Sequence, residues 1–514
     1  MAVASMWGFA LVGIEAVPVR VEAHARNGLP GVTIVGLPGA AVREARERIR
    51  SGAASSGLAL PTRRITINLS PGDVPKDGPG FDLPMALVTL AACGNLPIDS
   101  VREVGAVGEV SLDGLVRPTR GMLSVVESAG SIGVSLLVTP VQGLAAAVEV
   151  STVPVAGVRS LAEAVLVVRD CRFRARVIER GHRWLRTRDA AVGLSTGEAL
   201  DLAEVAGHHQ AKRALEIVAA GRHHLLMVGS PGAGKTMLAR RLPGILPPLT
   251  REEAVDVTRI WSVAGLQGPE AGLARDRPFR APHHTASRAA LVGGGAILRP
   301  GEVSLAHRGV LFLDELPEFS RDALEALRQP LEEGRIAISR RMGTSVFPAA
   351  CTLVAAMNPC PCGYLGHVEK ACRCPGVNIE RYKARLSGPL LDRIDALIEV
   401  PPLTLSALDA EAGGESSAVI RERVAAAYAF RGERAMQAGG AVPQVLEERS
   451  HLTREARALL RQALVREGLS GRAYVRIINL ARTIADLDNV VPVGGEHLAE
   501  ALALRLDHRR VGFA

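Results

Sequence analysis

Aromatic residues make up only 3% of the chain, and just five of its basic residues are lysines: Lys76, Lys212, Lys235, Lys370 and Lys383. So few aromatics leave little material for stacking platforms on single-stranded nucleic acid. No uninterrupted apolar run reaches the ~18 residues of a membrane span, so no membrane partner is expected. The apolar start, Met1 to Ile14, has neither a basic n-region nor a clear cleavage site. It reads as a first strand and not as a secretory signal, so a cytoplasmic protein is expected. Cysteine is sparse and uneven. Cys93, Cys171 and Cys351 stand alone and read as packing residues, whereas Cys360, Cys362, Cys372 and Cys374 crowd into one short stretch.

What is present is length, arginine and one glycine-rich stretch. A chain of 514 residues has room for about three or four domains, and its net charge of +8 permits nucleic-acid binding without requiring it. The stretch is Gly229-Ser230-Pro231-Gly232-Ala233-Gly234-Lys235-Thr236, between the apolar run Leu225–Val228 and a helix-like run from Met237. Glycines there let backbone N–H groups turn inward around phosphate oxygens, and the helix N-terminus adds partial positive charge. Lys235 is expected to reach the β- and γ-phosphates of ATP, and the Thr236 hydroxyl to ligate Mg²⁺.

Downstream, Val310-Leu311-Phe312-Leu313 is an apolar strand that ends in Asp314 and Glu315. An acid at the end of a buried strand suits Mg²⁺, which assigns Asp314 to the metal and leaves Glu315 as general base for the attacking water. A second apolar strand, Cys351 to Met357, ends at Asn358, a polar group able to orient water and γ-phosphate between the two motifs. Further on come Arg385 and Arg393; in a ring ATPase one such arginine reaches a neighbour's site, and the role is assigned to Arg393. Asp201–Ala220, Leu452–Arg466 and Ser470–Leu487 show helical spacing of apolar residues.

The N-terminal third alternates at Val17, Val19 and Val21, with further strands at Val32–Val35 and Arg64–Leu69 and helices at Ala40–Ser56 and Leu83–Cys93. Between them lies Pro75-Lys76-Asp77-Gly78-Pro79-Gly80-Phe81-Asp82. With its flanks this octet resembles the proteolytic domain of Lon proteases, a fold related to ribosomal protein S5. The resemblance places the nucleophilic serine at Gly80 and the dyad lysine near Gly121-Met122-Leu123, where neither residue occurs. Without nucleophile and base the fold is expected and an active protease is not. An arginine-rich stretch from Val165 to Leu194 reads as a solvated linker that is able to meet phosphates.

From about residue 195 onward the chain resembles the magnesium-chelatase-like branch of AAA+ ATPases. The resemblance is carried by Arg277-Pro278-Phe279-Arg280-Ala281-Pro282-His283-His284-Thr285, by Arg299 to His307, and by Leu386 to Asp395. It implies hairpin insertions near Leu291–Leu298 and Arg335–Phe347, the second bearing Arg335, Arg340 and Arg341. It also implies that Arg472, with Arg476 as the rival, contacts the nucleotide from a helical lid. Taken whole, the chain resembles the ComM/YifB family. The implied architecture is α/β: an inactive Lon-like (S5-fold) domain over 1–170, a basic linker over 171–194, a P-loop AAA+ core over 195–400 and a C-terminal helical lid over 401–514. The family resemblance further implies a homo-hexameric ATPase that acts on single-stranded or branched DNA as a helicase and branch-migration factor. A magnesium-chelatase motor subunit and a protein-remodelling ATPase are the alternatives.

Two groups stay open. Cys360-Pro361-Cys362 and Cys372-Arg373-Cys374 supply four thiolates, enough for a structural Zn²⁺, or else they are reduced bystanders. The pairs His208-His209, His223-His224 and His283-His284 lack the i, i+4 spacing of helical metal ligands and read as structural or loop residues.

Overall fold

The computed structural model describes residues 3–510 apart from 59, 62, 192–199, 269–270, 296–297, 341–342, 368–369, 403–413 and 438–449. It divides into two compact units, one of Met1–Thr196, Thr250–Arg275 and Ser339–Phe347, the other of Gly197–Leu249, Asp276–Ile338 and Pro348–Ala514. No helix among the described residues is long and apolar enough to cross a membrane.

The first unit is built on a seven-stranded sheet. Its strands are β1 (Ala4–Val12), β2 (Glu15–Arg26), β3 (Gly31–Val35), β4 (Arg64–Ser70), β5 (Val104–Ala106), β8 (Leu136–Pro140) and β9 (Val155–Val158), with β6 (Glu109–Val110) and β7 (Val116–Arg117) as a separate small ladder. The order is β3-β4-β2-β1-β5-β8-β9. β1 and β2 form an antiparallel hairpin in which Val12 faces Glu15. The period of two shows along β2, where Val19, Val21, Ala23 and Ala25 are buried while Val17, nearer the turn, is only half-buried. The helix Asp82–Ala92 is buried from Asp82 to Ala91. Its Asp82 carboxylate accepts two bonds from Arg48, at 2.6 and 2.9 Å, and one from the Val110 N–H at 3.2 Å. Burial nonetheless outweighs these donors and pushes Asp82 up to about 6.

The stretch expected as a solvated linker is helical over Cys171–Ala191 and packs on the first unit's core through Val177, Phe173 and Ile178. These residues recur at helical spacing beneath the charge. Arg174 caps the preceding helix by donating to the carbonyls of Val167 and Val168, both at 2.9 Å, and Arg180 pairs with Glu163 at 2.7 Å. Those two arginines are therefore engaged within the unit. The side chains of Arg186 and Arg188 lie outside the described residues. Cys171, expected to pack, is exposed.

The second unit holds a five-stranded parallel sheet: β10 (Leu225–Val228), β11 (Phe279–Arg280), β12 (Val310–Leu313), β15 (Thr352–Met357) and β16 (Ala396–Glu399), in the order β11-β12-β15-β10-β16. Strands β13 (Arg335–Arg340) and β14 (Gly343–Pro348) form the expected hairpin. Arg335 is exposed on it and pairs with Glu333, while Arg341 and the side chain of Arg340 lie outside the described residues. Of the expected Leu291–Leu298 hairpin, the described part is the end of the helix Arg288–Val292 and an isolated bridge between Gly294 and Arg299. The helix expected over Asp201–Ala220 starts at His209: Leu202–Glu204 is a 3₁₀ turn, and Gly207 and His208 take left-handed φ values of 60° and 53°.

Among the described residues four C-terminal helices follow, Ser417–Gln437, Arg454–Glu467, Gly471–Leu487 and Gly495–Arg510, and their apolar residues join the core of the sheet. Asp486, whose side chain is 1% exposed, accepts from Arg482 at 3.0 Å, Arg434 at 3.1 Å and Arg431 at 3.5 Å. The three arginines come from two helices, so this one buried carboxylate ties them together. Asp486→Ala removes the acid these cations share, leaving Arg482 and Arg431 only backbone carbonyls as acceptors among the described residues, and is expected to cost about 3–5 kcal/mol, read as a lower denaturant midpoint. A loss under about 1 kcal/mol would show that the arginines find other acceptors.

Candidate functional site

A parallel sheet presents the C-terminal ends of its strands along one edge, and loops leaving neighbouring strands there meet. The register pairs Val228 of β10 with Met357 of β15, and Leu313 of β12 with Ala355. The residues that come next, Gly229, Asp314 and Asn358, therefore emerge side by side. Asp314 and Asn358 line one cavity of 430 Å³ together with Pro231–Met237, Glu315 and Met357.

The phosphate-loop residues turn into the helix Lys235–Ile245 through Gly234, whose φ of 86° is left-handed and closed to most side chains. Lys235, 8% exposed, donates from Nζ to the carbonyls of Gly229 at 2.6 Å and Ser230 at 2.9 Å and to Asn358 Oδ1 at 3.2 Å. Burial lowers its pKa, and the nearby carboxylates of Asp314 and Glu315 pull the other way. The Thr236 hydroxyl donates to Asp314 Oδ2 at 2.7 Å, and Asp314 Oδ1 accepts the Glu315 N–H at 2.9 Å. This hydroxyl–carboxylate pair is a donor set suited to Mg²⁺. Ser230 Oγ and His208 Nε2, both buried beside the loop, have no partner among the described residues. His208 Nε2 stands 3.6 Å from where a Cβ on Gly234 would lie. Unsatisfied donors at the mouth of a phosphate loop fit a polar nucleotide.

Glu315 adopts φ 52°, a left-handed value that carries about 1–3 kcal/mol of strain in a non-glycine residue. Its side chain remains 55% exposed, and its Oε2 lies 3.4 Å from Nδ1 of His284. His284 packs on the ring of His283 at 4.1 Å, and the Nδ1 of His283 meets the Thr285 hydroxyl at 2.9 Å. His284, read from sequence as a structural or loop residue, thus lines a cavity with Thr236, Asp314 and Glu315, and His208, read the same way, lies beside Gly234. No spacing rule marks them. The one available signal was that both pairs flank stretches already tied to the ATPase module.

The two motif stretches flanking β11 and β12 meet as well. Arg280 holds Glu302 through two bonds of 2.6 and 2.8 Å, and Arg277 donates to the carbonyls of Pro247, Arg308 and Pro248 at 2.5, 2.6 and 3.3 Å. Planar guanidinium geometry suits both tasks.

The arginines divide. Arg393, 6% exposed, donates to the carbonyls of Arg328 at 3.0 Å and Pro389 at 2.5 Å and pairs with Glu332 at 2.6 Å. Arg385 is half exposed and bonds Glu318 at 2.8 Å. Arg472 pairs with Asp392 at 3.6 Å and stays 58% exposed, whereas Arg476 is tied to the buried Asp395. Asp395 also accepts the His224 N–H at 2.7 Å.

The four clustered cysteines converge: their Sγ atoms all lie within 4.8 Å of one another. Cys360–Cys362 is 3.4 Å, and Cys360–Cys372 and Cys362–Cys372 are both 3.6 Å. The Tyr364 N–H draws the Cys362 thiol down to about 6.

In the N-terminal unit, a Cβ on Gly80 would sit 3.4 Å from Val107 Cγ2 and 3.8 Å from the Thr119 hydroxyl oxygen. Lys76, the single lysine of that unit, is fully buried and donates to the Pro71 carbonyl.

Comparison with known proteins matches residues 201–408 to the magnesium chelatase subunit ChlI family, residues 21–143 to a second ChlI model and residues 414–505 to the ChlI C-terminal model. The chain is 42% identical over 499 residues to the uncharacterized protein YifB of Salmonella typhimurium, covering 96% of each. It is 42% identical over 509 residues to the competence protein ComM of Haemophilus influenzae, covering 98% of each. Over 140 residues it is 31% identical to the Lon protease of Salinispora arenicola, spanning 26% of this chain and 18% of that one.

Proposed function

The chain belongs to the ComM/YifB family of magnesium-chelatase-like AAA+ proteins, and from that premise we propose that it is a cytoplasmic ATP-hydrolysing ring motor that acts on DNA as a helicase or branch-migration factor. The observation that carries the ATPase part is the Thr236–Asp314 pair at 2.7 Å, set between Lys235 and Glu315. Likeness to a competence protein over 98% of both chains, N-terminal unit included, favours DNA over a porphyrin or a protein substrate.

In this reading the residues divide the work as follows. Backbone N–H groups from Gly229 to Gly234 cradle the phosphates, and Lys235 turns from the carbonyls of Gly229 and Ser230 to the β- and γ-oxygens. Thr236 and Asp314 would hold Mg²⁺, which would supply charge neutralisation at those oxygens. Glu315 takes the proton of the water that attacks the γ-phosphorus, and the bond to ADP breaks as the new P–O bond forms. Asn358 orients that water from the end of β15. His284 holds the Glu315 carboxylate beside its strand until nucleotide arrives. Arg393 serves the neighbouring subunit of a homo-hexamer after exchanging Glu332 for a γ-phosphate, and Arg472 reaches the nucleotide from the lid. The four cysteine thiolates hold a structural zinc ion. The N-terminal unit does no peptide hydrolysis, because Gly80 offers no nucleophile and Lys76 is bound to a backbone carbonyl.

A synthetic three-strand branched substrate tests the DNA role. The protein is expected to move the branch with ATP and Mg²⁺ and to fail with Lys235→Ala. Equal strand exchange by Lys235→Ala would detach DNA handling from this site.

A further inference from the structure

The cysteine cluster begins two residues after Asn358, which lines the nucleotide cavity, and we infer that a zinc ion bound there acts as a clasp that holds the phosphate loop and Asn358 in their binding geometry. The inference rests on the zinc reading given above and goes beyond a merely structural role.

The distances fit the ion. Four thiolates at about 2.3 Å from a tetrahedral zinc lie about 3.8 Å apart. The separations of 3.4, 3.6 and 3.6 Å, with all four Sγ atoms inside 4.8 Å, are close to that edge and far from the ~2.05 Å of a disulfide. Sulfur-only ligation in a tetrahedral arrangement selects Zn²⁺ over the hard oxygen-seeking Mg²⁺. The cluster and the Mg²⁺ pair are therefore separate sites with separate chemistry.

The path from cluster to cavity is short. Cys360 follows Asn358 by two residues, and Asn358 Oδ1 receives the Lys235 ammonium at 3.2 Å. The turn that begins at Cys360 closes with the Gly363 N–H on the Cys360 carbonyl at 2.9 Å. Gly363 then presses on the phosphate loop: a Cβ there would fall 2.4 and 2.6 Å from Cδ and Cγ of Pro231 and 3.7 Å from Cγ of Asn358. Only hydrogen fits in that space. Pro231 in turn lines the nucleotide cavity. Two thiolates in the turn and two after it leave the metal as the tie that fixes residues 358–363. Releasing it frees both the Asn358 side chain and the wall behind Pro231.

The test uses the purified full-length chain. Metal analysis is expected to find one zinc per chain. Stripping it with a thiol-reactive mercurial and a chelator, then restoring the thiols, is expected to weaken binding of a fluorescent ATP analogue about tenfold, with far-ultraviolet dichroism unchanged and affinity restored by added zinc. Gly363→Ala is expected to weaken the same binding about tenfold while zinc stays at one per chain. A metal-free wild type overturns the zinc reading. Zinc that is present but can be stripped without change in nucleotide affinity overturns the clasp alone. If stripping unfolds the chain, Gly363→Ala decides: wild-type affinity in that variant overturns the clasp.

Discussion

Glu315→Gln is expected to bind ATP with near wild-type affinity and to hydrolyse it about 10²–10⁴-fold more slowly, the range lost with a general base. The amide keeps the volume and the contact with His284 but cannot take the proton of the attacking water. The geometry sharpens this expectation. Glu315 is held in a left-handed conformation directly after the buried strand β12, so its exposed carboxylate is aimed by the backbone and does not depend on a flexible loop. Lys235→Ala fails differently, because it removes the charge that faces the phosphates and so loses binding itself. Equilibrium titration with a fluorescent nucleotide and a phosphate-release assay separate the two. Normal turnover by Glu315→Gln would remove Glu315 as the base.

Arg393→Ala is expected to keep nucleotide binding and lose about 10³–10⁵-fold in turnover, the worth of an arginine finger. The structure adds a condition. Arg393 is buried against Glu332 and two carbonyls of its own chain, so action in a neighbour's site requires that pair to open. Mixing supplies the check. An Arg393→Ala subunit keeps its own Glu315, and a Glu315→Gln subunit keeps its own Arg393, so one class of mixed interface is complete. Recovered hydrolysis on mixing is the expected result. No recovery would confine Arg393 to a cis role with Glu332.

The phosphate site was legible because its chemistry is local. Glycines, a lysine and a threonine between an apolar strand and a helix dictate a phosphate loop wherever they fold, and a strand ending in Asp314-Glu315 declares itself in the same way. The parallel sheet then brings these ends together, as the resemblance to AAA+ ATPases implied. What stayed hidden depends on tertiary placement. The partner of Arg393 is Glu332, distant in sequence. His284 reaches Glu315 only because β11 lies beside β12 in the sheet. Charge obscured the helix Cys171–Ala191, whose Phe173, Val177 and Ile178 give the apolar face that eight nearby arginines concealed. The start of the helix at His209 was blurred by Gly207 and His208, where two left-handed residues break a pattern that apolar spacing alone would extend.

The measurement closest to the central claim is steady-state ATP hydrolysis by the purified chain, with and without single-stranded and branched DNA, at two salt concentrations. A motor that grips phosphates through arginine is expected to hydrolyse several-fold faster on DNA and to lose that stimulation as salt rises. Hydrolysis that proceeds at one rate whatever DNA is added, at either salt concentration, would contradict the account and turn the search towards a protein or porphyrin substrate.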